Sequence, residues 1–262
     1  MTRASVPGLA TRAIVRTSRR RVKASGATLD PSGQSMLISN DATAQGFTII
    51  EAVLEGTEVA ELARTLESAD LHRSRAGARH LMNHPAVSAV VADPRMVAIA
   101  GRFLGETAIP YKATLFDKSP ARNWLVAWHQ DTALPLCERR ETPQWGPWSI
   151  KAGVTYALAP ASALAQVVAL RLHLDDSRAD NGPLRVLPRT HTLGLLTESD
   201  IARLTTEVPA VDCTVPAGGV VAMRPLIVHA SSKAESDLPR RVLHIEYARS
   251  LDLGDGLKLR LA

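Results

Sequence analysis

The sequence predicts a mainly β protein with flanking helices, a jelly roll preceded by a short helical layer. From about residue 108 onward the chain runs through short strand-like stretches separated by Gly, Pro, Asp and Asn clusters, the spacing of a sandwich or jelly roll. One of these stretches alternates cleanly. Val168, Leu170, Leu172 and Leu174 share one face and Arg171, His173 and Asp175 the other, so one side packs while the other lines a cavity or meets solvent. Helical periodicity, by contrast, is confined to the residues before that point.

The chain has 262 residues, long enough for one large domain, since all-β folds commonly reach this length undivided. Apolar residues make up 45% and charged residues 22%, values of an ordinary globular protein that exclude a fibrous or wholly disordered one. No apolar run approaches the ~20 residues of a membrane-spanning helix and no secretory signal opens the chain. A soluble, cytoplasmic protein with no membrane partner is expected. Cys137 and Cys213 stand far apart, which excludes a CxxC zinc site and a disulfide framework.

The net charge of +5 raises the question of nucleic acid, and its position answers it. Residues 1–29 hold Arg3, Arg12, Arg16, Arg19, Arg20, Arg21 and Lys23 and no acid. Removing those seven from 31 basic residues leaves 24 against 26 acidic ones, so the basicity belongs to the tail rather than the body. Residues 1–40 read as a basic, disordered extension and 41–262 as a single domain. Organellar import or nucleic-acid binding through the tail is not favoured.

Within the body, Val59, Leu62, Ala63 and Leu66 recur at helical spacing behind Thr57 as N-cap. A second helix takes Asp93 as N-cap, Pro94 at its first position, Met96, Val97, Ile99 and Ala100 as its apolar set and Gly105 as terminator. "HPAVSAVVA" before it reads as a further helical turn or two, and His72, His80 and His84 as surface or capping histidines. Eight strand stretches follow, the number of a jelly roll: "PYKATLF", "NWLVAWHQD", "AGVTYAL", "QVVALRLHLD", "GPLRVLP", "VDCTV", "GVVAMRPLIVHAS" and "RRVLHIEYA".

Two of these offer a metal-ligating pair. His129 and Asp131 in "VAWHQD" lie two apart, so on a strand both point to one face, and His173 and Asp175 in "HLDD" have the same spacing. Spacing alone does not choose between them. Either pair needs a third ligand from a distant strand, for which His191, His229 and His244 are the candidates. "GGVVAMRPLIVHAS" reaches His229, "SKAESDLP" turns the chain, and the return begins at Arg240, so a hairpin would bring that guanidinium beside a metal ligand. Two histidines and a carboxylate on one side of Fe(II) leave three positions free. If 2-oxoglutarate filled two of them, its far carboxylate would need a charge-assisted partner, and the arginine fork suits it better than lysine.

The segments "LFDKSPARNWLVAWHQD", "WGPWSIKAGV", "LRLHLDDSRADNGPLRVLPRTH" and "GGVVAMRPLIVHASSKAESDLPRRVLHIEYA" together resemble the phytanoyl-CoA dioxygenase family of Fe(II)- and 2-oxoglutarate-dependent oxygenases, in particular its bacterial small-molecule hydroxylases. The resemblance runs from about residue 108 to 248 and implies a double-stranded β-helix, the cupin-like form of the jelly roll. It implies His129, Asp131 and His229 as iron ligands, Arg240 as the 2-oxoglutarate anchor, Ser231 as a second contact to that carboxylate and Trp148 as a cosubstrate neighbour. It also implies Fe(II), 2-oxoglutarate and O2 as cofactor and cosubstrates, a small organic substrate, and succinate and CO2 as products.

On this reading His173 and Asp175 shape the pocket instead of holding iron. The carboxylate of Asp131, which related halogenases replace by a small residue, favours hydroxylation. Lys118, Asn123, Trp128, Gln130, Trp145 and Trp148 fall in motifs bordering the family's pocket, although alternation turns Trp124, Trp128 and Gln130 away from His129, toward packing. Gly182 and Pro183 read as turn residues capped by Asn181. One departure stands out: "PRTH" puts Arg189 where the family has a turn glycine before the position of His191. The competing readings are a metal-binding descendant whose chemistry has lapsed and a nucleic-acid-associated protein using the tail. Neither the substrate nor the oligomeric state is legible.

Overall fold

The computed structural model describes residues 41–74, 77–105 and 107–262; the basic tail lies outside the described residues. The helical layer follows its sequence signals. The helix Gly56–Ser68 buries Val59, Leu62, Ala63 and Leu66. It starts one residue ahead of Thr57, with Glu55 as its N-cap, and Glu58 closes a capping box by accepting the Glu55 N–H at 2.7 Å. Pro85–Val91 and Pro94–Leu104 form the next two helices. Asp93 caps the latter by accepting from Arg95 N at 2.8 Å, and Gly105 ends it at φ 89°, a backbone conformation that glycine adopts without a Cβ clash.

The strands, in chain order, begin with β1 (Phe47–Ile50), β2 (Arg73–Ser74), β3 (Gly77–Ala78), β4 (Ile109–Lys118), β5 (Val126–His129), β6 (Ala133–Leu136) and β7 (Trp148–Lys151). They continue with β8 (Val154–Leu158), β9 (Val167–His173), β10 (Leu184–Leu187), β11 (Val211–Cys213), β12 (Val220–Met223), β13 (Val228–Ser231) and β14 (Arg240–Ala248). Seven form one sheet in the order β1-β12-β9-β14-β4-β3-β2, four a second in the order β11-β10-β13-β5, and three a third in the order β6-β8-β7. The large sheet is antiparallel throughout and centres on β14, whose nine residues pair with both β4 and β9. It is the jelly-roll architecture read from the sequence, with the helices before it.

Packing between sheets explains why alternation was visible. Ala169, Val221 and Met223 of the large sheet meet Leu184, Val186 and Cys213 of the four-stranded sheet, with Val215 and Ile227 beside them. Each fully buried aliphatic side chain of this kind contributes roughly 1.5–3 kcal/mol. That cluster closes one end of the sandwich and leaves a cavity beside it.

Two expectations need correction. "GVVAMRPLIVHAS" is two strands, because Pro225 has no N–H for a ladder and the chain turns there, with Ile227 N donating to Arg224 O at 3.1 Å. The turn carries the chain from the large sheet to the smaller one. For the same reason β13 and β14 are not a hairpin within one sheet; they lie in opposite sheets, and the loop between them crosses the sandwich. Elements absent from the sequence reading include β1, β2, β3, β6, β7, the short helices Asp41–Gln45 and Ala161–Leu164, and the helix Glu198–Glu207, which opens with a Thr197–Asp200 capping box.

Candidate metal and cosubstrate site

β5 and β13 are antiparallel neighbours, with His229 directly opposite His129. Residues opposite each other on such a ladder present side chains to the same face, and the two imidazole centroids stand 4.2 Å apart. Asp131 follows just beyond the end of β5, its backbone N–H donating to Pro225 O at 2.9 Å. Its Oδ1 lies 3.7 Å from His129 Nε2 and its Oδ2 3.6 Å from His229 Nε2. The ligand atoms of all three groups fall within 4.8 Å of one another.

The donor set fits a divalent ion. His129 Nδ1 sits 2.8 Å from Ala127 O and His229 Nδ1 2.9 Å from Ile227 O, so each ring donates its Nδ1–H to a carbonyl and turns its Nε2 toward Asp131. Burial holds His229 down to about 4, so it is a neutral ligand at ordinary pH. Burial raises the Asp131 carboxyl, but the imidazoles of His229, His244 and His129 outweigh that and leave it below its ordinary value. Two imidazole nitrogens and one carboxylate oxygen on one side of a point are a facial ligand set with positions left open.

The same cavity, of about 420 Å³, is lined farther along by Ser231 and Arg240. Arg240 begins β14, opposite Lys118 at the end of β4. Its Nη2 donates to Ser231 Oγ at 3.2 Å and its Nε to Asn181 O at 3.3 Å, while its buried Nη1 has no partner. Lys118 Nζ donates to Ser231 Oγ at 2.9 Å and to Ser232 O at 2.5 Å. Burial, aggravated by Arg171, pushes Arg240 down to about 9. Burial, with Arg240 and Arg171 adding repulsion, pushes Lys118 down to about 8. Two adjoining buried cations and an orphaned N–H form a receptor for a carboxylate.

Gly182 makes the approach possible. At φ +68°, a Cβ there would lie 2.4 Å from Ser232 O and 3.0 Å from Lys118 Nζ.

The phytanoyl-CoA dioxygenase family model matches residues 43–242. The chain belongs to this family. Among solved structures, AviO1 from Streptomyces viridochromogenes Tue57 is similar at TM-score 0.58, 22% identity, and 85% and 96% coverage of this chain and that one. EctD from S. alaskensis with bound Fe is similar at TM-score 0.61, 18% identity, and 86% and 87% coverage. The epimerase SnoN in complex with Fe3+, alpha ketoglutarate and nogalamycin RO is similar at TM-score 0.61, 18% identity, and 84% and 83% coverage. No curated protein sequence is similar enough to count as a relative.

Against the family's motifs, the remaining residues sort by location. The rival pair is split: His173 is buried on β9 with neither ring nitrogen partnered, whereas Asp175, beyond the strand's end, accepts from Arg241 Nη2 at 2.8 Å and Nε at 2.9 Å. Neither lines the cavity, so the pair does not shape the pocket as expected. Trp148 packs against the buried Leu136, Ala157 and Leu257 with Arg139 over its ring, outside the cavity lining, and is not placed as a cosubstrate neighbour. Trp124 does line the cavity, under Lys118 Nζ at 5.3 Å. Alternation failed for it because β5 begins only at Val126.

Trp128 packs as expected, against Leu187, Leu204 and Val228. Gln130 ties loops together, donating to Gly194 O and Leu226 O and accepting from Leu196 N. Asn123 exchanges two 2.8 Å hydrogen bonds with the Ala234 backbone. Asn181 caps its turn by accepting from Arg178 N at 2.8 Å. Arg189 adopts φ 70°, so the loop keeps the left-handed turn a glycine would provide, and His191 Nε2 meets Thr43 O at 3.1 Å. His244 is no ligand: Nδ1 accepts from Arg171 Nη1 and Nε2 donates to Glu246 Oε1, both at 3.1 Å.

Sequence reasoning missed the polar floor of the cavity. Lys112, Thr114 and Phe116 of β4 and His244 and Glu246 of β14 line it with Arg171 of β9. The even-numbered spacing on both strands was the available signal.

Proposed function

We propose that this member of the phytanoyl-CoA dioxygenase family is an Fe(II)- and 2-oxoglutarate-dependent dioxygenase that hydroxylates a small organic substrate. The observation that carries the reading is the convergence of two imidazole Nε2 atoms on the Asp131 carboxylate, in a cavity also lined by Arg240, whose Nη1 has no partner. His129, Asp131 and His229 would hold the iron, and Arg240 with Ser231 would take the distal carboxylate of 2-oxoglutarate. Bound iron and cosubstrate supply the oxidising chemistry: O2, 2-oxoglutarate and R–H give succinate, CO2 and R–OH, one oxygen atom going to each organic product.

The chain's own residues orient these partners. The two Nδ1–H bonds fix both imidazoles, so the ring tautomers are set before a metal arrives. Ser231 is itself fixed, donating to Gly182 O at 2.8 Å while receiving Lys118 and Arg240. The Asp131 carboxylate favours hydroxylation over halogenation because it occupies the position a halide would need. Among the described residues no helix is long and apolar enough to cross a membrane, which accords with a small-molecule substrate met in water.

The test is spectroscopic first. Anaerobic Fe(II) plus 2-oxoglutarate gives a weak visible charge-transfer band that His129→Ala and Asp131→Ala abolish and Asp175→Ala spares. A band lost with Asp175 and retained without Asp131 refutes the ligand assignment. Incorporation of labelled dioxygen into a hydroxylated product, with matching succinate, tests the outcome; a rearranged or epimerised product without label refutes hydroxylation.

A further inference from the structure

Five cations, Arg79, Lys112, Lys151, Arg171 and Arg240, line the cavity against two carboxylates, Asp131 and Glu246. Glu246 is fully engaged: Oε1 meets Lys112 Nζ at 2.7 Å and His244 Nε2 at 3.1 Å, and Oε2 accepts a short hydrogen bond from Tyr111 OH. If the oxygenase reading holds, a ferrous ion, Asp131, the 2-oxoglutarate dianion and Arg240 balance to zero, and Lys112 balances Glu246. Arg171, Arg79 and Lys151 then remain as uncompensated charge in a loaded cavity. Arg171 is buried beneath His244, with its Nε unpartnered. Arg79 and Lys151 are exposed and line the cavity where it meets solvent.

Lys151 sits over the ring of Tyr156, and Arg79 adjoins the residue that bonds the Tyr156 hydroxyl. Lys151 Nζ is 5.0 Å from the centroid of Tyr156, Lys112 Nζ lies 5.7 Å from the same ring, and the Tyr156 hydroxyl meets His80 Nε2 at 3.2 Å. Arg79 is the chain neighbour of His80, on the segment that follows β3. Burial first, then the nearby charges of Arg79 and Lys112, hold the Lys151 ammonium below its ordinary value, and the acids Asp131 and Glu246 do not offset them. Neither Arg79 nor Lys151 has an ion-pair partner among the described residues.

We propose that the substrate carries an anionic group, a carboxylate or a phosphate, which Arg79 and Lys151 receive at the cavity mouth above Tyr156 while the carbon to be oxidised reaches toward His129, Asp131 and His229. This rests on the oxygenase reading for the charge count of the loaded cavity and for naming the guest as substrate; the pairing of Arg79 and Lys151 as an anion site does not. The anion offsets part of the positive charge left in the loaded cavity, and the cosubstrate is held elsewhere, by Arg240 and Ser231 at the other end. Uncharged analogues lose this anchor.

The test uses the full chain loaded with redox-inert Mn(II) and 2-oxoglutarate, titrated calorimetrically with hexanoate, hexyl phosphate and neutral hexanamide. At least one anion should bind about tenfold tighter than the amide, the worth of one well-placed charge-assisted contact. The tighter of the two identifies the group, and Arg79→Ala/Lys151→Ala, both exposed positions, should erase the preference. Equal affinities for all three probes, or a preference that survives the double substitution, overturns the proposal. Failure to bind Mn(II) or 2-oxoglutarate sinks the oxygenase reading instead, and the same titration on the unloaded Arg240→Ala chain still decides whether Arg79 and Lys151 bind anions.

Discussion

Arg240→Ala separates a residue that holds a cosubstrate from one that holds the fold. In the protein without ligand, Arg240 contributes two long hydrogen bonds to neutral acceptors, 3.2 Å to Ser231 Oγ and 3.3 Å to Asn181 O, each worth about 1–2 kcal/mol at that length. Against them stands the cost of a buried guanidinium with an unpartnered Nη1, near Lys118 and Arg171, with no carboxylate beside it. The two effects nearly cancel, so removal should move unfolding free energy by no more than about 1–2 kcal/mol in either direction. Binding of 2-oxoglutarate should suffer much more. Losing a buried charge-assisted contact costs about 2–4 kcal/mol, a thirty- to thousandfold rise in Kd. Urea denaturation measures the first quantity and calorimetric titration of the Mn(II)-loaded chain the second, with Mn(II) affinity unchanged. A large loss of stability with unaltered 2-oxoglutarate affinity would refute the reasoning, because Arg240 would then be a structural cation.

Other perturbations follow from the same geometry. Gly182→Ala forces a Cβ to 2.4 Å from Ser232 O at φ +68°, and should cost about 2–4 kcal/mol by denaturation while weakening 2-oxoglutarate binding through Ser231 and Lys118. Arg189→Gly relieves a left-handed, exposed residue at φ 70° and should raise stability by about 0.5–1 kcal/mol after the extra freedom of glycine in the unfolded chain is deducted. Burial, with Arg171 and Arg240 nearby, holds His173 far below its ordinary value. The unfolded chain therefore takes up a proton near pH ~6.5 that the folded one refuses, and stability falls as pH drops below that value by about 1.4 kcal/mol per unit from this group. His173→Leu should flatten the decline in urea midpoints between pH ~6.5 and ~5; an unchanged slope would show that other groups cause it.

Strands were legible where the pattern had one buried and one polar face. Thus "RRVLHIEYA" maps residue for residue onto β14, and the apolar positions of Gly56–Ser68 and Pro94–Leu104 fell where their spacing put them, apart from a half-buried Val97. Short strands in mixed company were not. β6 is "ALPL", with a proline inside it, and β1 is four residues long, so neither offers enough period to read. The route of the chain between sheets was hidden because alternation reports a face and not a partner. For that reason Arg240 was expected beside His229 by a hairpin that does not exist: it meets Ser231 across the sandwich instead, lining the same cavity as His229. The choice of His129 and Asp131 over His173 and Asp175 came from family motifs. Its physical basis, the pairing of β5 with β13 that sets His129 opposite His229, is tertiary and invisible in spacing.

The most direct measurement is anomalous scattering at the iron edge from crystals of the chain grown anaerobically with Fe(II) and 2-oxoglutarate. A single peak is expected within coordination distance of His129 Nε2, His229 Nε2 and an Asp131 oxygen, with the far carboxylate of 2-oxoglutarate on Arg240 and Ser231. Iron found elsewhere, or at this place with His129 or Asp131 unligated, would contradict the account.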